Sequence, residues 1–230
     1  MTDKATLQSA RLLQLCSANL PVGGFSFSQG LEQAVERGWV NSAPALYEWL
    51  CVYLQNSVRH ADLPLLAAQY KTIQAGQRVT FEQQDDWVAA TRESAEILLA
   101  EQAMGKALRR LLLNLSNKPE GIAVDWLALT NANCFISQFA LAAHIFELTL
   151  PAALSGYVWT LLDAQVAAGT KLVPLGQTDG QNLLFSLAEH IEPCINCSEN
   201  ILLSDLGQSM PSLAMASAWH EQQYSRLFRS

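Results

Sequence analysis

The stretch TFEQQDDWVAATRESAEILLAEQAMGKALRRLLLNL, Thr80 to Leu115, decides the fold. Thr80 with Gln83 makes a capping box, no proline follows until Pro119, and Gly105 is the sole glycine. The stretch therefore predicts one helix of about 35 residues. Its apolar seam, Ala90, Ile97, Met104, Leu108, Leu111 and Leu115, keeps heptad-like spacing, which favours a bundle core or an antiparallel neighbour over a solvent-spanning rod. Arg92, Glu96, Arg109 and Arg110 fall opposite that seam and read as a solvated face.

Helical spacing extends outward in both directions, and no window alternates β-branched or aromatic residues with polar ones for long. Leu7, Leu12, Leu13 and Leu15 open a first helix that ends near Pro21-Val22-Gly23-Gly24. Ser26 with Gln29 forms a capping box for a second helix, which Gly38 stops. Ser42 and Pro44 start a third helix with Leu46, Trp49, Leu50, Tyr53 and Leu54 on one stripe. Leu63-Pro64 starts a fourth, running toward Gly76. Further helices are expected over 124–131, 135–148, 152–168, 181–191 (started by a Thr178/Gln181 capping box) and from Ser212 to the end. The expectation is an all-α bundle of about ten helices forming one domain over residues 1–230.

Composition narrows the function. A net charge of −7 excludes the clustered basic surface of a nucleic-acid binder. Apolar content is 50%, roughly 55% with the 12 glycines included, and charged residues are only 15%, so the chain folds and has apolar surface to spare for a partner. The five cysteines are odd in number, with one pair at a motif-like spacing, which points to a reducing compartment. No secretory signal is visible at the N-terminus, and the apolar run 134–162 is interrupted by His144, Glu147 and Pro151, so a cytoplasmic protein with no membrane segment is expected.

No catalytic constellation emerges. His60, His144, His190 and His220 lack ligand partners at i, i+4, and His220-Glu221-Gln222-Gln223-Tyr224 departs from the zinc-protease helix at Tyr224. His144 reads as a hydrogen-bonded core histidine. Cys194-Ile195-Asn196-Cys197 lacks the setting of a redox motif or a second metal-binding pair, and reads as incidental in a loop. Asp85-Asp86 reads as a helix N-terminal pair of acids. The Pro21–Ser26 turn lacks the lysine and spacing of a phosphate loop. Neither catalytic residues, metal ligands nor a cofactor are expected. Two segments still stand out. Lys171 precedes the turn-rich loop Leu172–Gln181, and Tyr224, Leu227 and Phe228 fall on one helical stripe beside Arg226 and Arg229, the composition of a binding anchor.

Ordered blocks carry a family resemblance: Leu20-Pro21-Val22-Gly23-Gly24-Phe25-Ser26-Phe27-Ser28-Gln29-Gly30-Leu31-Glu32 with Gly38-Trp39-Val40, then Thr91-Arg92-Glu93, then Lys171–Gln177, then Ser217-Ala218-Trp219-His220-Glu221 and Gln223–Ser230. With these the chain resembles the urease accessory protein F family. The resemblance implies an all-α homodimer, not an enzyme, that binds a second accessory protein (D, called H in some species). That pair recruits the GTPase accessory protein G to the urease apoenzyme, where nickel is delivered to a carbamylated lysine. It implies as an alternative a GTPase-activating or fidelity regulator of accessory protein G. On this footing the expected partner-binding residues are Tyr224, Arg226, Leu227, Phe228 and Arg229 in a tail spanning 219–230, with Gly23, Gly24, Phe25 and Ser26 shaping a turn beside it, and Lys171 and Gln177 facing the GTPase.

Overall fold

The computed structural model describes residues 4–229, and among these it contains helices and turns but no strand. Twelve α-helices follow in order: α1 (Lys4–Leu15), α2 (Leu31–Glu36), α3 (Ala43–Tyr53), α4 (Leu63–Gln74), α5 (Arg78–Ala90), α6 (Ala95–Asn114), α7 (Ile122–Leu129), α8 (Phe135–Ile145), α9 (Leu150–Leu172), α10 (Gln177–Ala188), α11 (Ile191–Ser198) and α12 (Pro211–His220). The all-α expectation holds, with two more helices than expected.

At the centre lies α8, whose sequence FISQFALAAHI is apolar nearly all round and so has no face suited to water. It is enclosed by α4, α5, α6, α7 and α9. Phe135 and Phe139 pack on Tyr157 of α9, with ring centroids 6.2 and 5.5 Å away. Its inward polar side chains are tied to neighbours: Gln69 donates to Ser137 Oγ (2.6 Å), Ser137 donates to Asp85 (2.6 Å), and Gln138 donates to the Ala132 carbonyl (2.8 Å), while the buried Gln138 Oε1 has no partner among the described residues. Asp85 also accepts the Asn133 and Cys134 amides at 3.1 and 3.0 Å, so it caps the start of α8. Both members of the acid pair expected to favour its own helix terminus sit mid-way along α5; Asp85 serves a different helix and Asp86 is exposed.

The long helix expected over 80–115 is two helices. α5 starts at Arg78, not at Thr80, and ends where Thr91 Oγ1 bonds the Val88 carbonyl (2.8 Å). α6 restarts after Ser94, whose side chain accepts the Ile97 amide (3.1 Å). The break turns Arg92 inward, and that buried charge overrides local helix propensity. The buried seam of α6 is Ala100, Met104, Leu108 and Leu112, since a heptad counted through the break does not apply. α4 starts at Leu63 with Pro64 in its first turn, as expected, and the π-helical segment Leu54–Asp62 runs into it from α3 without a break.

Other starts move as well. Ser42 caps α3 as expected, accepting the Ala45 amide (3.4 Å). α1 ends at Leu15, well before Pro21. Ser26 lies in a 3-10 turn, Gly24–Ser26, and Gln29 has φ 50°, so the Ser26/Gln29 capping box does not form. α10 begins at Gln177 with the Gly176 amide donating to Asp179 (3.0 Å), in place of the Thr178/Gln181 box. The last helix stops at His220, so Tyr224, Leu227 and Phe228 share no helical stripe.

Gly105 brings α6 against the chain entering α8: a Cβ there would lie 1.9 Å from the Asn133 carbonyl oxygen. Both sides are backbone, so neither can yield cheaply. Gly105→Ala is expected to destabilise the fold by about 2–4 kcal/mol, read from urea unfolding, with the slope of the transition unchanged.

Candidate functional site

Two buried charge clusters organise the molecule. In the first, the Arg92 Nη1 donates to Asp62 Oδ1 (2.8 Å) and its Nη2 lies 2.9 Å from Glu101 Oε2. Tyr157 donates to Asp62 Oδ2 (3.0 Å), and Glu101 Oε1 accepts the Ile136 amide (2.9 Å). Burial pushes the Glu101 carboxyl up from its ordinary range, against the pull of Arg92. Burial likewise pushes the Tyr157 and Tyr53 phenols up, with Asp62 adding to it, so both stay neutral. Arg92, Glu101, Tyr53 and Tyr157 line one cavity of about 160 Å³ that also touches the Gly207–Ser209 segment. The solvated-face expectation therefore fails for Arg92 and for Glu96. Arg110 is exposed as expected, and Arg109 is half-buried against the Ala132 carbonyl (3.5 Å).

The second cluster holds the C-terminal segment. Gly30, at φ 86°, lets α2 approach α12 so closely that a Cβ would lie 3.0 Å from the Ser217 nitrogen. Ser94 and Ser217 hydroxyls meet at 2.6 Å, tying the start of α6 to the same helix. These approaches place Glu32 and Glu96 on either side of His220, which is fully buried. Nδ1 lies 2.6 Å from Glu96 Oε2 and Nε2 lies 3.1 Å from Glu32 Oε2. Beyond them the tail folds back. The Leu227 and Phe228 amides donate to Glu32 at 2.7 and 2.9 Å, Arg226 Nη1 donates to Glu96 Oε1 (2.7 Å), and the Arg229 amide donates to the Ser26 carbonyl (2.8 Å).

Among the expected partner-binding residues, two contacts join separate segments: Arg229 to Ser26 and Lys171 to Phe228. Gly23 turns at φ 77° into the 3-10 turn where Gly24 and Ser26 are half-buried and Phe25 is 70% exposed. Lys171, on the last turn of α9, places its ammonium 5.5 Å from the Phe228 ring. Phe228 is buried against the body, whereas Tyr224 is fully exposed and Leu227 is 66% exposed. Gln177 opens α10, exposed, with no hydrogen bond to the tail among the described residues. Ser230 lies outside the described residues. Sequence reasoning missed Glu32, Glu96 and His220 as a set. Two of them stand inside the resemblance blocks, but their pairing spans the whole chain and leaves no local signal.

The remaining candidates are packed side chains. Cys194 and Cys197 lie on α11, a helix where a loop was expected, and both are free thiols. Burial pushes Cys194 up to about 12 and Cys16 up to about 11, which keeps them protonated and poorly reactive. His144 bonds the Tyr70 carbonyl (2.9 Å) and stacks on its ring, as a core histidine should, and His190 meets the Tyr47 hydroxyl at 2.7 Å. Among the described residues no group of three or more His, Cys, Asp or Glu side chains is arranged to hold a metal ion, and no helix is long and apolar enough to cross a membrane.

The architecture defines an all-α protein with a docked C-terminal segment flanked by exposed aromatic and aliphatic side chains. The UreF family model matches residues 40–188. The chain is 43% identical over 228 residues to the urease accessory protein UreF of Teredinibacter turnerae, covering 97% of this chain and 99% of that one. It is 42% identical over 220 residues to that of Marinomonas sp. (96% and 93%) and 38% identical over 224 residues to that of Chromohalobacter salexigens (97% and 95%). The chain belongs to the UreF family of urease accessory proteins.

Removing Arg92 leaves Asp62 and Glu101 buried without a counter-charge. Arg92→Ala is expected to cost about 3–5 kcal/mol at neutral pH. Glu101, already pushed up by burial, binds its proton more tightly folded than unfolded, so it favours the fold more as pH falls. Part of the variant's deficit should therefore be recovered near pH 5, which urea unfolding at several pH values measures; a deficit that grows on acidification would contradict the assignment.

Proposed function

We propose that this chain is a urease-maturation accessory protein that binds accessory protein D (H in some species) through its C-terminal segment. The pair then recruits the GTPase accessory protein G to the urease apoenzyme for nickel delivery. The chain acts in the cytoplasm as a homodimer of single-domain subunits, with nickel as cargo and no catalysis of its own. Family membership, with a relative aligned over nearly the whole chain, supports the maturation role. The observation that supports the tail as anchor is its division of labour. Phe228 and the Glu32 and Glu96 contacts fix the segment to the body, while Tyr224, Leu227 and Phe25 project large apolar surfaces to solvent with no core to fill. Few charges and large exposed side chains are what a protein interface recruits. The regulator alternative draws no support from Arg92, since an arginine finger needs a free guanidinium and this one is held by two carboxylates.

The test is size-exclusion chromatography with light scattering of the chain mixed with accessory proteins D and G, with and without GTP and nickel. A complex whose mass requires two copies of this chain is the expected result, and elution of the chain alone under every condition would overturn the reading. Truncating 226–230 also removes internal contacts, so the decisive variant is Tyr224→Ala with Leu227→Ala. It should weaken binding to accessory protein D by at least about tenfold while leaving the thermal midpoint unchanged.

A further inference from the structure

We infer that His220 is a proton-carrying positioning residue: its imidazolium latches the C-terminal segment onto α2 and α6, and loss of that proton frees the segment. The regulatory consequence rests on the reading of this segment as the partner anchor; the latch itself does not.

The hydrogen bonds around the ring are the ground for this inference. Glu32 accepts main-chain amides on both oxygens, from Leu227 on Oε1 and from Phe228 on Oε2. Glu96 accepts the Arg226 guanidinium on Oε1. Both carboxyl groups are therefore acceptors, and both ring nitrogens of His220 face them, at 2.6 and 3.1 Å. A neutral imidazole has one N–H and one lone pair, so only the imidazolium can donate to both. The charged groups facing the ring are Glu32 from α2, Glu96 from α6 and Arg226 from the tail, and with the imidazolium they balance two against two. Arg37 is engaged elsewhere, 4.5 Å over the Trp219 ring, and Lys171 lies over Phe228.

Removing the proton leaves a buried excess of negative charge and a lone pair aimed at one carboxylate. The shorter contact, to Glu96, is reinforced by Arg226 and keeps the remaining N–H. Glu32 is then the group that loses its partner, and it is also the acceptor for Leu227 and Phe228. Deprotonation thus acts on the contacts that dock the tail, while α8 and the Arg92 cluster keep their own bonds. Undocking would also uncover Phe228, adding a third large side chain to Tyr224 and Leu227.

Amide hydrogen exchange of the full chain between about pH 6 and pH 8.5 brackets the ordinary histidine range. After correction for intrinsic base catalysis, with α8 amides as the internal reference, protection of the Leu227 and Phe228 amides should fall at least about tenfold across that range. His220→Gln cannot titrate and donates from one end only, so its tail should be as weakly protected at the low pH as at the high one. A wild-type profile that stays flat relative to α8, or a His220→Gln profile that keeps the wild-type pH dependence, overturns the latch. Should that variant fail to fold, as loss of α8 protection would reveal, the wild-type profile alone decides. Binding to accessory protein D at both pH values separates the two readings: no binding at either pH with the expected exchange profile removes the anchor and leaves the latch standing.

Discussion

Everything central in this fold is arranged around a guanidinium that is largely buried. Arg92 reaches inward only because the helix that carries it is broken between Ala90 and Ala95. Its two acceptors come from the end of the π-helical segment and from α6, and each acceptor is shared: Asp62 with Tyr157 of α9, Glu101 with the backbone of α8. One cation therefore joins five separate parts of the chain through charge-assisted bonds. Replacing such a cluster with apolar residues is often harmless, but removing one partner is not, so the cluster acts as a constraint on register more than as a source of net stability. α8 can sit fully enclosed because its start is capped by Asp85 and its second residue's amide is met by Glu101. For a helix that is apolar nearly all round, these two acceptors fix the register that apolar packing alone would leave free.

The same device recurs at the periphery with a titratable member. Where Arg92 is permanently charged, the tail cluster depends on His220, whose charge is conditional. The first cluster lies between elements that stay together, the second between the body and a segment that is not helical. Placing the permanent charge in the core and the conditional one at the terminus gives the chain a rigid frame and a releasable end.

Sequence reasoning reached the helical class and several elements because periodicity and capping are local. Ser42 and Pro44 specify α3 within four residues, and the glycine-rich turn before α2 was recognisable as a turn. The failures share one physical cause. The break at Thr91–Ser94 and the capping of α8 by Asp85 are both decided by a partner at least 30 residues away, which local propensity cannot register. Arg92 and Glu96 looked solvated because charged residues usually are, and only the tertiary acceptor and donor reverse that. At the tail, composition pointed to an anchor, but the expected helical stripe was wrong: after His220 the backbone turns to offer its amides to Glu32.

That non-helical ending matters energetically. A helix satisfies its own amides and would leave Glu32 without backbone donors, whereas an irregular segment has amides free and a carboxylate ready to take them. Ordering the nine residues from Glu221 to Arg229 costs backbone entropy for each, and the return comes from a few charge-assisted bonds and one buried ring. Neither side dominates, so the segment belongs to the low-stability end of the molecule, where local opening is cheap compared with global unfolding. A partner that offers an apolar site for Tyr224 and Leu227 needs only a modest differential affinity to shift such an equilibrium, and so does the loss of one proton from His220. The exposed side chains supply recognition, the carboxylate pair supplies restraint, and the histidine between them connects the two.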